Sequence, residues 1–141
     1  MNITYSEMKE EEIERVLAFW ASTPGVHLHE NGEDTVTAIS AYLKRNPNCS
    51  FVALDDNIIV GAVLSGHDGR RGFINHLGVR EDYRIKGIAT HLLELVQEAM
   101  VSNHIKKGAL FVLNDNLEGQ AFYKAIGWKQ ETIVECYSKF F

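Results

Sequence analysis

The chain has 141 residues, 45% of them hydrophobic and 23% charged, which suits one domain (residues 1–141) that buries a core without staples. That length excludes a TIM barrel at ~250 residues, and a dinucleotide-binding domain joined to a separate substrate domain. The formal charge of −5 argues against a nucleic-acid partner, and no apolar run reaches the ~20 residues of a membrane span. Cys49 and Cys136 lie far apart and match no metal-ligand spacing, so they read as ordinary thiols of a cytoplasmic protein with no metal site. A strand-like start followed by an acidic helix is not a signal peptide.

In chain order, Ile3 to Tyr5 is strand-like. A helix follows from Ser6, with Ile13, Val16, Leu17 and Trp20 at i, i+3, i+4, i+7. Pro24-Gly25 ends it, and the stretch to Glu33 is a loop. A second helix runs from Asp34 to Arg45. Phe51 to Leu54 and Ile58 to Ser65 form a hairpin, and Phe73 to Val79 adds a third strand to the meander. The longest helix spans about Gly87 to His104. Ala109 to Leu113 is a strand, Glu118 to Ala125 a short helix closed by Gly127, and Ile133 to Ser138 a last strand. The order predicts a mixed α/β domain: an antiparallel meander, then β-α-β-α-β.

Charge is unevenly spread. Residues 1–41 hold eight acids against two bases, a local −6, whereas Arg70 to Lys86 holds five bases against two acids, a local +3. This reads either as solvated surface or as an acidic lobe facing a patch that takes an anion. His27-Leu28-His29-Glu30 looks like a metal patch in composition only, and without a third ligand cluster it reads as loop histidines.

Two segments carry chemistry. In Arg84-Ile85-Lys86-Gly87-Ile88-Ala89, a glycine and two cations open the longest helix, whose N-terminus offers unpaired N–H groups and a positive dipole end. Such a start can hold an anion; a plain helix start has the same residues. It is neither a Walker loop nor a three-glycine dinucleotide fingerprint. The second segment is Asn116 to Trp128, where Asn116 stands at the N-cap of the short helix and Tyr123 lies two turns on along the same face. Asn116 is a plain cap and Tyr123 a core aromatic on one reading, and both are site residues on the other.

Together, in this order and spacing, the two segments resemble the GNAT superfamily of N-acetyltransferases. Arg84, Gly87 and Ala89 match its coenzyme loop, and Asn116, Phe122, Tyr123, Gly127 and Trp128 match its later motif. The resemblance implies a GNAT-type fold whose central strand pair splays, with the pantetheine arm of acetyl-coenzyme A lying along Leu77, Gly78 and Val79. It places the pyrophosphate on Arg84, Ile85, Lys86, Gly87, Ile88, Ala89 and Thr90, and brings Asn116 to the pantetheine chain. Gly78 fits that close approach. Ile85 is expected at an ordinary φ, since a β-branched residue is strained in the left-handed region.

The implied reaction is direct attack of a primary amine on the thioester in a ternary complex, with no metal. Tyr123 is the candidate acid, and a backbone N–H near Val79 the oxyanion donor. The resemblance leads one to look for a glutamate base on the strand at 73–79, and none occurs there. His76 is the substitute, with water as the rival. Alternation puts Asn75 and His76 on opposite faces, and a bulge would swap them. Trp20, Glu30, Glu33 and Asn75 are the acceptor-side residues, which suits a cationic amine of a small molecule or a protein. The other reading is a non-catalytic acyl-coenzyme A-binding module, which has no need of the Tyr123 hydroxyl. The last strand pairs across a homodimer or on an internal edge of a monomer.

Overall fold

The computed structural model describes residues 1–30 and 32–141. Strands β1 (Ile3–Glu7), β2 (Phe51–Asp55), β3 (Ile58–His67), β4 (Gly72–Val79) and β5 (Gly108–Leu110) lie side by side in chain order. The first four are antiparallel, and β5 runs parallel to β4. Helices α1 (Ile13–Ala21) and α2 (Val36–Arg45) separate β1 from β2, and α3 (Ile88–Ser102) makes the crossover to β5. The chain divides into two compact units, Met1–Phe111 with the whole sheet and Val112–Phe141 with α4 (Leu117–Ala125).

Alternation along β3 assigns the two faces of the sheet. A Cβ on Gly61 would touch Ile88 and Leu92 of α3 at 3.0 and 3.2 Å. Its neighbour Ala62 packs on the other face with Val16 and Trp20 of α1 and Ile39 of α2. Trp20, Val16, Val52 and Ala62 are wholly buried, and each aliphatic side chain of Val or Ile size so placed contributes about 1.5–3 kcal/mol.

Several boundaries differ from the sequence reading. The first helix starts at Ile13, not Ser6, because β1 continues to Glu7 opposite Phe51 and residues Glu10–Glu12 form a 3-10 turn. The second starts at Val36: Thr35 is its N-cap, accepting from the Ala38 N–H at 3.1 Å, which leaves Asp34 outside the helix. The expected strand at Ile133 to Ser138 does not form. Among the described residues nothing after Ala125 is helix or strand, and Ile133, Val134 and Tyr137 are exposed, without a neighbouring strand to complete a ladder.

Two irregularities shape β4. Leu64 lies opposite His76 and Ser65 opposite Ile74, so Asn75 is an unopposed bulge residue. Pairing with β5 runs only from Gly72↔Gly108 to Ile74↔Leu110. The last residues of β4 therefore have no strand on that side among the described residues, which is the splay the resemblance implied.

Candidate active site

The bulge brings two consecutive side chains of β4 to the α1–α2 side. The Asn75 amide donates to the Tyr42 hydroxyl of α2 at 2.8 Å, and burial pushes that hydroxyl up to about 12. His76 Nε2 lies 2.8 Å from Asp34 Oδ1. Asp34 is buried, and its other oxygen accepts from the His29 N–H at 2.8 Å. An ionised carboxylate can only accept, so the bond at Nε2 is N–H to oxygen and, in the neutral ring, Nδ1 carries the lone pair. Among the described residues Nδ1 makes no hydrogen bond.

Trp20 does not form an acceptor wall. Its side chain is fully buried, its indole N–H donates to the Ala62 carbonyl at 3.4 Å, and its ring backs the His76 imidazole with centroids 5.1 Å apart. The i, i+3, i+4, i+7 pattern that contains Trp20 had already put it on the buried stripe. Glu30 and Glu33 are exposed on the same loop, with Glu33 3.8 Å from His29 Nε2. Asp34, which the sequence reading made the first residue of the second helix, is the residue of this pair that it missed. Its position just before the N-cap Thr35 is the signal, since that fixes it at the turn into α2.

The end of β4 offers backbone donors. Arg80 N–H donates to Val60 O across β3 at 2.8 Å, so alternation turns the N–H groups of Leu77 and Val79 toward the open edge. A Cβ on Gly78 would sit 3.0 Å from Val26, 3.1 Å from Thr23 and 3.3 Å from Trp20. Gly78 lets the segment after α1 close on β4.

The turn Glu81–Tyr83 leads into the α3 start and is anchored by Tyr83, whose hydroxyl donates to Asp55 Oδ2 at 2.5 Å and holds that carboxyl below its usual range. Arg84 turns its guanidinium back, donating from Nε to Val79 O at 3.2 Å and from a terminal nitrogen to Pro24 O at 3.1 Å. Ile85 is not at an ordinary φ. It stands at +62°, fully exposed, and Gly87 at +79°. Left-handed residues on either side of Lys86 curl successive N–H groups into a concave nest for an anion. The strain of a β-branched residue there, of order 1–3 kcal/mol, is the sort stored at ligand sites. Gly87 caps α3 with no side-chain bond, and the first helical bond is from His91 N–H to Gly87 O. Ile88, Ala89 and Thr90 thus present N–H groups with no intrahelical partner. Nest, helix start and Lys86 fit a pyrophosphate.

In the second unit, the Asn116 carboxamide oxygen accepts from the Gly119 N–H at 2.9 Å and caps α4. Tyr123 packs edge-on against Phe122 and Trp128, with centroids 5.2 and 6.0 Å away. Burial pushes its hydroxyl up to about 12, and it donates to no protein group among the described residues. No helix among the described residues is long and apolar enough to cross a membrane.

Residues 11–128 match the model of the acetyltransferase (GNAT) family. An acetyltransferase of Pectobacterium atrosepticum is 31% identical over 108 residues, covering 77% of this chain and 74% of that one. The PaiA N-acetyltransferase of Thermoplasma acidophilum, solved with coenzyme A, superposes with a TM-score of 0.79 at 19% identity, over 93% of this chain and 92% of that one. The AAC(6')-Iy structure with the bisubstrate analogue CoA-S-monomethyl-acetylneamine gives 0.77 at 17% identity, over 99% of both chains. The two structures establish the fold, and the family match extends over most of the chain. The protein belongs to the acetyltransferase (GNAT) family and is an acetyl-coenzyme A-dependent N-acetyltransferase.

Proposed function

We propose that the protein acetylates a cationic primary amine by direct attack, with His76 as general base and Asp34 as the residue that positions it. The observation that carries this reading is the His76–Asp34 pair beside the bulge of β4, at 2.8 Å, with Nδ1 left without a partner among the described residues. Bound acetyl-coenzyme A supplies the activated acyl group. The N–H nest of Ile85–Thr90 and Lys86 would hold its pyrophosphate, and Leu77 to Val79 its pantetheine arm. The Val79 N–H then faces negative charge developing on the acyl oxygen. Arg84 contributes through its bond to the Val79 carbonyl, which fixes the loop against the strand end.

The acceptor must be neutral to attack, so a protonated amine surrenders a proton, and His76 Nδ1 takes it. Tyr123 keeps its own proton. Its hydroxyl, at about 12, faces a thiol reference of ~8.5, so full transfer is uphill by about 5 kcal/mol. Its role is hydrogen bonding to the charge that develops on the departing sulfur. Asn116, whose carboxamide oxygen is engaged in the α4 cap, has its amide left for the pantetheine chain.

The cationic acceptor rests on the net −6 of residues 1–41 and on exposed Glu30 and Glu33. The neamine-based analogue bound by AAC(6')-Iy is an acceptor of that charge type. An acceptor screen at two ionic strengths tests it, comparing kcat/KM for cationic, neutral and anionic amines by thiol release. Exposed charges are screened beyond ~10 Å at 0.1 M salt, so the cationic preference should weaken as salt rises. Preference for an anionic amine, or for an arylamine without salt dependence, would contradict it.

A further inference from the structure

We propose that Tyr42, Asn75, Phe73 and Phe111 form the subsite for the body of the acceptor, and that this body is neutral, with an amide beside the reacting amine and an apolar group beyond it. The proposal rests on the reading that His76 marks the reacting amine, and it narrows the chemical class of the acceptor. On β3, Leu64 and Gly66 lie two residues apart on one face, opposite His76 and Phe73. A Cβ on Gly66 would sit 2.5 Å from the Tyr42 hydroxyl oxygen, so this is the face that α2 covers. The bulge residue Asn75 also reaches Tyr42. Phe73, Asn75 and His76 therefore share one face, three of four consecutive side chains where regular alternation gives two.

The pair nearest His76 is polar and uncharged. The Asn75 amide donates to the Tyr42 oxygen at 2.8 Å, which leaves the tyrosine O–H to donate and the Asn75 carboxamide oxygen to accept. Neither that O–H nor that oxygen has a partner among the described residues, and a hydroxyl pushed up to about 12 by burial keeps its proton. A neutral donor beside a neutral acceptor matches the carbonyl and the N–H of an amide. An ammonium group would use the acceptor and leave the donor unmatched. Further along β4, Phe73 and Phe111 meet edge to face with centroids 4.9 Å apart, and Phe111 is 70% exposed. Three residues of extended strand separate Phe73 from His76, ~10 Å, a span that three residues of an extended peptide also cover. An acceptor lying along β4 thus sets its amine at His76, its first amide at Tyr42 and Asn75, and an apolar side chain on the aromatic pair. The positive charge that the acidic residues 1–41 attract is then the reacting amine itself.

The test is kcat/KM by thiol release for three amines: glycyl-glycyl-phenylalanine amide, glycyl-glycyl-alanine amide and diaminobutane. The wild type is expected to prefer them in that order, with a roughly tenfold step from alanine to phenylalanine for the apolar group. Tyr42→Phe, and independently Asn75→Ala, should raise KM for both peptide amides about tenfold, since each removes one hydrogen bond to the acceptor. Their advantage over the diamine should shrink accordingly. Phe111→Ala should bring the phenylalanine-to-alanine ratio down to about one. Melting temperatures check that each variant is folded. His76→Gln should lower kcat with both peptide amides and keep their order, so a failed base and a failed subsite give different results. A wild type inactive on both peptide amides or faster with the diamine, an unchanged KM for the peptide amides in Tyr42→Phe, or a phenylalanine preference that survives Phe111→Ala would overturn the proposal.

Discussion

His76→Gln is expected to lower kcat by roughly 10²–10⁴-fold, the range for losing an acid–base group, with coenzyme A binding unchanged. Glutamine suits the test because its amide can still donate to Asp34, so the buried carboxylate keeps a partner and the fold survives. What it lacks is a nitrogen that takes a proton. Asp34→Asn should cost kcat at least tenfold by another route. Its amide can present an N–H to Nε2 and force the tautomer with hydrogen on Nδ1, which leaves no lone pair toward the acceptor. Nitrogen NMR of the ring separates a positioning role from a structural one: the wild type should show Nδ1 unprotonated and Nε2 protonated, and Asp34→Asn the reverse. Near-wild-type turnover in His76→Gln on a good acceptor would hand deprotonation to water.

Tyr123→Phe removes one hydroxyl that bonds no protein group among the described residues, so stability and coenzyme affinity should hold. Turnover should fall ~10²-fold or more. With the hydroxyl at about 12, the tyrosine stays protonated at every pH where the protein is assayed, so it adds no alkaline limb to the kcat profile. The acceptor amine must be neutral to attack, so rates rise with pH. Stopped-flow measurement of kcat on both proteins decides. Equal rates would leave Tyr123 as a packing residue of α4, between Phe122 and Trp128.

The meander was legible because β3 carries an apolar run with turns at Asp56-Asn57 and around Gly69, and such runs between turn residues signal strands regardless of context. The segment Arg84 to Ala89 was legible as a helix start. Its conformation was not: nothing in the letters of Ile85 announces a φ of +62°, and local preference argued against it. Trp20 illustrates the opposite error, since its helical spacing marked it as core while its aromatic character invited a surface role. Asp34 stayed hidden because its partner His76 is 42 residues away, and only the bulge at Asn75, itself a product of strand pairing, sets their geometry. The missing last strand has the same origin. Strand propensity in Ile133 to Ser138 is real, but a strand exists only where a partner completes the ladder.

The most direct measurement is a coenzyme A titration followed by backbone amide NMR. The N–H groups of Leu77, Val79 and Ile85 to Thr90 should shift together at one saturating stoichiometry, because the open edge of β4 and the nest before α3 would hold one molecule between them. Those amides staying still while others move would contradict the site.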